Sequence, residues 1–382
     1  MGSQHWGCCH KEKGKDAWLS AVRTHLRFHD FSVSRLIAIF HMLSLWCVII
    51  CGKYTRRRKV ATSQFQGNSS QYICHKAEKN ILFLKAMGGF SKASRCPMEP
   101  WILPWAITFH RNPRLEQFIV IEVGCNKATD ALMLTRLFTQ KESVDMISWL
   151  KETRFRRFFC PLDWGLWKKI VQLNLRGVQE YHHFCLEPVH ENFQQVSAAA
   201  QKFGLDRAGL HVHQLALSSS DVPPTVEFPH AAKGQETIGI DVGARRGATY
   251  EVNVTTLDKF VQKEKIKEVN ILKIDTEGND ARVLLGAIQT LTSLKPEYLT
   301  FENHNIGHWS RFDLKDVVDF LDNIFYTCFW ATRRGTLVRL TGCWDDKYST
   351  MKGHSNVACY HRSSRELRKL MEQWCLDEEA DL

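Results

Sequence analysis

The stretch ILKIDTEGNDARVLLGAIQTLTSLKPEYLTFEN, residues 271–303, decides the fold of this chain. Its first four residues, ILKI, are apolar and β-branched enough to form a buried strand. Apolar residues then recur at helical spacing until Pro296 ends the helix, and residues 298–301 predict a second strand. Open α/β sheets bind their ligands at the carboxyl ends of parallel strands. The residues expected at those ends are Asp275, Glu277, Glu302 and Asn303.

The alternation of strands and helices continues on both sides of this stretch. Because strands that alternate with helices form parallel sheets covered on both faces, we predict a Rossmann-like, mostly parallel, doubly wound α/β fold. Two of the terminal predicted strands, 324–332 and 337–340, follow each other directly in sequence without a helix between them. This predicts an antiparallel edge of the sheet. The predicted strands cover residues 118–126, 183–188, 211–217, 252–258, 324–332, 337–340 and 356–361, with helices over 129–139, 193–203, 313–323 and 366–376.

The chain of 382 residues exceeds the usual size of one domain, and its composition changes along its length. Tryptophans and a basic run in residues 140–180 interrupt the α/β rhythm, so we predict an insertion over the site there. The predicted division is a basic segment (1–35), a membrane anchor (36–52), a linker and covering segment (53–110), a catalytic domain (111–365) and a terminal helix with an acidic tail (366–382).

The net charge of +10 is concentrated at the N-terminus. Residues 1–60 hold eleven Lys and Arg against three acids, which leaves a charge of only +2 for the other 322 residues. A nucleic-acid groove needs its positive charge on the folded domain. We therefore exclude nucleic acid as a partner.

Residues 36–52, LIAIFHMLSLWCVIICG, are uncharged and mostly apolar. At about 1.5 Å per residue a helix of this length just reaches across a thin hydrocarbon core, so we predict a single-pass anchor. The late start and the lack of a small-residue cleavage site argue against a signal peptide, and a buried or surface helix is the alternative. Basic residues are more numerous after the segment than before it, which favours a cytosolic over a lumenal catalytic domain.

The thirteen cysteines have no CxxC or Cys/His metal-binding spacing. An odd and unpatterned count predicts reduced thiols that pack as small apolar side chains.

Acids and glycines end the first predicted strands. The motifs at these strand ends are EVGCNKA (122–128), EPVHENF (187–193) and LALS (215–218). An acid that ends the second strand binds the ribose hydroxyls in nucleoside-binding α/β folds, and ordinary loop chemistry is the alternative. Together with TLD (256–258), LKIDTEG (272–278), LGA (285–287), Pro296 and Phe301-Glu302, these motifs resemble the FkbM-type S-adenosylmethionine-dependent methyltransferases over residues 118–361. The chain departs from that family at Ala128, where a further glycine is usual, and in the insertion between the first two motifs.

The resemblance implies an enzyme that transfers a methyl group from S-adenosylmethionine to a hydroxylated, small-molecule or glycan acceptor. A sugar or glycolipid is one acceptor of this kind. The residues implied at the cofactor are Glu122, Gly124 and Asn126 at its methionine end, Glu187 at the ribose hydroxyls, and Ala216 and Leu217 beside the adenine.

An oxygen nucleophile must be positioned near the methyl group and must lose its proton. Asp275 is the candidate base, Glu277 would orient it or the acceptor, and His304 is a second candidate base. Asp275, Glu302 and Asn303 are alternatively an all-oxygen site for Mg²⁺. Asp275 and Glu277 would also suit the N-terminus of the following helix without any catalytic role.

Two other functions fit parts of the sequence. In a membrane-anchored glycosyltransferase, Asp275-Thr276-Glu277 would serve as a metal-binding acidic triplet, although Glu187-Pro188 then has no role. A methyltransferase-like interaction protein without turnover is the second alternative, motivated by Ala128 and the insertion.

Overall fold

A computed structural model of the chain describes residues 76–94, 97–111, 117–140, 144–153, 164–232, 235, 238–240, 248–351 and 353–376. Within these ranges the fold is a three-layer α/β sandwich around one large sheet.

The large sheet has eight strands in the order β10-β9-β11-β8-β7-β1-β2-β3. The five strands from β3 to β8 are parallel, and β11 is antiparallel to both of its neighbours. The strands are β1 (Gln117–Val123), β2 (Glu180–Leu186), β3 (Leu210–His213), β7 (Ile271–Ile274), β8 (Tyr298–Asn303), β9 (Tyr326–Ala331), β10 (Leu337–Arg339) and β11 (Ser355–His361). The prediction of a large, mostly parallel sheet is therefore confirmed.

The strand order reverses between β1 and β7. From β1 the chain proceeds to β2 and β3 on one side, and it returns through β7 and β8 to the other. A crevice opens at the carboxyl ends of the strands where such a reversal occurs, and this is where α/β sheets bind ligands.

Alternate residues of the central strands enter different cores. Ile119, Ile121 and Val123 of β1 join one apolar cluster, and Phe118 and Val120 join the other. Successive side chains of a strand point to opposite faces, so both faces of the sheet must be covered. The helices are α1 (Lys76–Ala86), α2 (Phe90–Ser94), α3 (Ile102–Arg111), α4 (Thr129–Thr139), α5 (Met146–Glu152), α6 (Trp164–Gln172), α7 (His190–Phe203), α8 (Leu257–Lys263), α9 (Asp280–Leu285), α10 (Leu314–Asn323) and α11 (Arg365–Glu372).

The segment before β1 packs directly on the sheet. Side chains of α1 and α2 join the apolar cluster that contains Ile121. Trp105 of α3 and Trp101, which precedes α3, join the cluster that contains Phe118, together with side chains of α4 and α11. The described parts of the predicted insertion, α5 and α6, pack against α7 and α4 respectively. They extend the helical layer beside the site.

Residues 211–217 form two short strands instead of the predicted single one. β3 ends at His213, and β4 (Ala216–Leu217) joins a second sheet of order β4-β6-β5 with β5 (Thr225–Pro229) and β6 (Thr249–Thr255). The chain changes sheets here because β4 pairs in parallel with β6, a partner that the apolar pattern of residues 211–217 does not reveal.

The predicted helix after Asp275 is also divided. α9 ends at Leu285, and a π-helical turn over Thr290–Leu294 follows before Pro296. No described helix is both long and apolar enough to cross a membrane. The predicted anchor, residues 36–52, lies outside the described residues.

Of the six cysteines within the described ranges, four form disulfides, which corrects the prediction of reduced thiols for these positions. Cys125 is joined to Cys185, and Cys328 to Cys359. Each pair lies on neighbouring strands or strand ends, and the strand order that brings them together cannot be read from their sequence spacing.

Gly124 lies at the point of closest approach between the turns after β1 and β7. It has a φ of +83°, and a Cβ added there would lie 1.8 Å from the carbonyl oxygen of Asp275. We predict that Gly124→Ala lowers the free energy of unfolding by about 3 kcal/mol or more, because left-handed strain adds to a clash with backbone. Urea denaturation measures this change.

The control is Gly342→Ala, at a φ of +71° with nothing within 4 Å of the added Cβ. It should cost only the left-handed strain, about 1–2 kcal/mol. Equal losses in the two variants would contradict the inferred contact between the two turns.

Candidate active site

The turn after β1 contains three residues in the left-handed region. Gly124, Asn126 and Ala128 have φ values of +83°, +48° and +52°. Ala128 therefore adopts, with a small side chain, the conformation that favours glycine. The departure from the family pattern at this position leaves the turn intact.

The carboxylate of Glu187 fastens this turn to the end of β2. It accepts hydrogen bonds from the backbone N–H of Asn126 (2.7 Å) and of Val189 (2.9 Å), and a longer one from Asn192 Nδ2 (3.5 Å). Burial outweighs these hydrogen bonds and raises the pKa of Glu187 to about 7. Each carboxylate oxygen has two lone pairs, so Glu187 retains acceptor capacity for a ligand.

The side chain of Asn126 lies beside this carboxylate. Its Nδ2 and that of Asn192 both donate to the backbone oxygen of Gln235, at 3.3 Å in each case. The buried Oδ1 of Asn126 has no hydrogen-bond partner among the described residues. A buried polar atom without a partner is uncommon and is a reason to look for a ligand.

The third predicted element of the cofactor site is β4. Ala216 packs in a small apolar cluster with Val189, which adjoins Glu187, while Leu217 points into the main core. The Leu217 carbonyl accepts a hydrogen bond of 2.9 Å from Asn279 Nδ2. The structure thus brings Ala216, and not the Leu217 side chain, into contact with the cluster that contains Val189.

Glu122 lies in a buried network of charges. Its carboxylate, 2% exposed, accepts hydrogen bonds of 3.0 Å from Lys273 Nζ and of 3.0 Å from His183 Nε2. Lys273 also binds Asp130, at 2.5 Å. Burial opposes ionisation of Glu122, but Lys273 and His183 outweigh it and lower the pKa of this carboxyl group. Protein groups therefore already pair both oxygens of Glu122.

Asp275 follows β7 at the reversal of strand order. Burial and the neighbouring charge of Glu302 raise the pKa of Asp275 well above its ordinary value. Asp280, whose side chain is fully buried, has a pKa raised to about 7 by burial and by Glu302. No described residue donates a hydrogen bond to the Asp275 carboxylate. A carboxylate with a raised pKa is suited to accept a proton near neutral pH.

Glu302 and His304 lie at the end of β8. His304 Nε2 lies 2.6 Å from Glu302 Oε2, and His354 Nε2 lies 3.2 Å from Glu302 Oε1. Burial opposes ionisation of Glu302, but the two histidines outweigh it and lower its pKa. Burial would lower the pKa of His304, whereas Glu302 raises it, with a net rise.

The predicted catalytic residues lie within electrostatic reach of one another. Glu277, in the left-handed region with a φ of +53°, raises the pKa of both Asp275 and His304 through its charge. Of the predicted all-oxygen metal set, Asp275 and Glu302 interact electrostatically. Glu302 is paired with His304 and His354, and Asn303 contributes a backbone oxygen to Ser355 at 3.3 Å.

A family model described as the methyltransferase FkbM domain matches residues 111–328. This match covers more than half of the 382 residues. The chain belongs to the FkbM methyltransferase domain family. A comparison with curated proteins finds no significant match.

Membership in the FkbM family confirms the resemblance seen in the motifs and indicates a methyltransferase. The motifs did not reveal the roles of Gln235 and His354. Gln235 acts through its backbone oxygen, which carries no sequence signal. His354 is a single histidine before the closing strand, and only the pairing of β11 with β8 places it beside Glu302.

The Glu122–Lys273 pair allows a test of the buried charge network. We predict that Lys273→Met lowers the free energy of unfolding by about 3 kcal/mol, because it leaves the buried Glu122 carboxylate without its lysine and with only His183 beside it. Lys347→Met is the matched control. The Lys347–Glu78 pair has a similar separation, 3.2 Å against 3.0 Å for Lys273–Glu122, but its side chains are mostly exposed. It should cost less than about 1 kcal/mol.

Adding Glu122→Gln to Lys273→Met should recover part of the loss, since it removes the unpaired charge. Urea denaturation of the four proteins gives the energies. If Lys273→Met costs no more than Lys347→Met, the network does not stabilise the fold.

Proposed function

We propose that this member of the FkbM family is an S-adenosylmethionine-dependent O-methyltransferase that acts on a hydroxylated small-molecule or glycan acceptor. The observation that carries the proposal is the joining of the turn after β1 to the end of β2 through Glu187 and Asn126. This is the crevice where α/β folds bind nucleosides.

The residues present fit the cofactor. The Glu187 carboxylate can accept hydrogen bonds from ribose hydroxyls, and the unpaired Asn126 Oδ1 can accept one from the ammonium of the methionine part. Ala216, in the cluster with Val189, offers an apolar surface for the adenine. When bound, S-adenosylmethionine supplies a methyl group on a sulfonium sulfur.

The acceptor side is formed by the acids after β7 and β8. Asp275 would take the proton of the acceptor hydroxyl, which frees an oxygen lone pair for attack. Its raised pKa suits this role, and Glu277 would keep the acceptor or Asp275 in place. His304, already paired with Glu302, is the second candidate base.

The family membership favours methyl transfer over the glycosyltransferase hypothesis, in which Glu187 has no role. Membrane attachment through residues 36–52, with a cytosolic catalytic domain, remains part of the proposal and would bring the enzyme to lipid-linked acceptors.

The cofactor site is tested by calorimetric titration of S-adenosylhomocysteine into the full-length protein and its variants. We predict that Glu187→Gln weakens binding about 10- to 100-fold, since hydrogen bonds to charged groups contribute about 1.5–3 kcal/mol. Glu180→Gln is the matched control, because Glu180 lies exposed at the opposite end of β2. Absence of binding to the unaltered protein, or equal affinities of the two variants, would overturn the assignment.

The affinity should also depend on pH. Burial raises the pKa of Glu187 to about 7, so this group is mostly protonated at pH 6 and mostly ionised at pH 8. Ribose hydroxyls donate to the ionised form, and we predict that affinity rises about tenfold between these pH values. In Glu187→Gln the rise should disappear. A rise of the same size in that variant would assign the titration to another group.

A further inference from the structure

We infer that Glu302, His304 and His354 form a binding site for a divalent transition-metal ion. The nitrogen and oxygen atoms that these three side chains offer all lie within 4.8 Å of one another. The inference differs from the predicted all-oxygen set by its two histidine ligands and by the metal that they select.

The site is built by the pairing of two antiparallel strands. β11 lies beside β8 with Ser355 opposite Asn303, so the residues just outside this pair, His354 and His304, meet at the same end of the ladder. Glu302 lies on β8 two positions before His304, and its two carboxylate oxygens contact the two histidine rings. The ligands therefore stand on rigid strand ends, which fixes their separation.

The geometry suits a metal with open coordination positions. Glu302 Oε1 and His354 Nε2 are 3.2 Å apart, close to the separation of about 3.3 Å expected of two ligands each about 2.0–2.1 Å from a tetrahedral Zn²⁺. The His304 and His354 rings stand nearly perpendicular, at 86°, with their centroids 4.5 Å apart. Three protein ligands leave at least one position for water or substrate, as in catalytic zinc sites.

The charges around the cluster favour a cation. Asp275 and Asp280 interact electrostatically with Glu302, and Asp280 is fully buried. Buried carboxylates that are close together repel one another, and a divalent ion between them would relieve that repulsion. Lys273, which also interacts electrostatically with Asp275, is paired with Glu122 and Asp130.

The ligand set also selects the metal. Two imidazoles and one carboxylate suit Zn²⁺, Fe²⁺, Co²⁺ or Mn²⁺, whereas Mg²⁺ prefers oxygen ligands in octahedral geometry. On the proposed function, the open position would receive the acceptor hydroxyl. The metal would lower the pKa of that hydroxyl, and its proton would pass to the Asp275 carboxylate.

The experiment uses untagged full-length protein that is stripped with a chelator, incubated with Zn²⁺, Co²⁺ or Mg²⁺, and desalted. We expect about one equivalent of Zn²⁺ or Co²⁺ to remain, with Co²⁺ giving visible absorption bands of low coordination, and Mg²⁺ to be lost. In His354→Ala, retention should fall at least about tenfold. His230→Ala, which removes a mostly exposed histidine paired with Glu191, should retain metal as the unaltered protein does.

Thermal unfolding checks that His354→Ala is folded, and His354→Gln, which keeps most of the volume, replaces it if it is not. Retention below a tenth of an equivalent in the unaltered protein, or undiminished retention in the folded His354 variant, overturns the metal site.

Titration of S-adenosylhomocysteine into the same samples separates this inference from the proposed function. Cofactor binding without metal retention removes the metal site alone. Metal retention that depends on His354, with no cofactor binding, overturns the proposed function and leaves the metal site in place.

Discussion

The contact between the turns after β1 and β7 is the constraint on which the site depends. The backbone N–H of Asp275 donates to the Val123 carbonyl at 2.8 Å, and a Cβ at Gly124 would lie 1.8 Å from the Asp275 carbonyl. Two chain segments can approach this closely only where one of them has no side chain. Because the strand order reverses between the same two strands, the contact sets the floor of the crevice and places Asp275 beside the turn that leads to Asn126.

Buried charges around this floor fall into two groups with different chemistry. Glu122 is paired with Lys273 and His183, so its charge is compensated inside the protein and its pKa is lowered. On the other side, burial and the charge of Glu302 raise the pKa values of Asp275 and Asp280, and the charge of Lys273 offsets only part of the rise at Asp275. Compensated charges hold strands in register, whereas carboxylates with raised pKa values are available for proton transfer or for a cation.

Local patterns predicted much of the sheet but not its pairing. The helix Thr129–Thr139 and the core strands follow from apolar periodicity, which depends only on neighbours in sequence. The position of β11 between β8 and β9 depends on contacts distant in sequence, and with it the approach of His354 to Glu302. The Cys328–Cys359 pair was missed for the same reason, since these residues face each other only after β11 is inserted. The cofactor side was more accessible to prediction, because Glu187 and Asn126 belong to motifs that directly follow strands.

Some of the residues that carry the family resemblance are structural. Asp258 accepts hydrogen bonds from the backbone N–H groups of Gln289 and Thr290, at 2.9 and 2.7 Å, and so fixes the start of the π-helical turn. A Cβ at Gly286 would lie 2.3 Å from the carbonyl oxygen of Ser218. These contacts hold β4 against the helix after β7, and β4 carries Ala216 at the adenine side of the proposed cofactor site. Family motifs and cofactor-site geometry are therefore maintained by the same contacts. On the acceptor side, Asp275, Glu302 and His304 lie within the residues that the family model matches, whereas His354 lies outside them. The position of His354 depends instead on the pairing of β11 with β8.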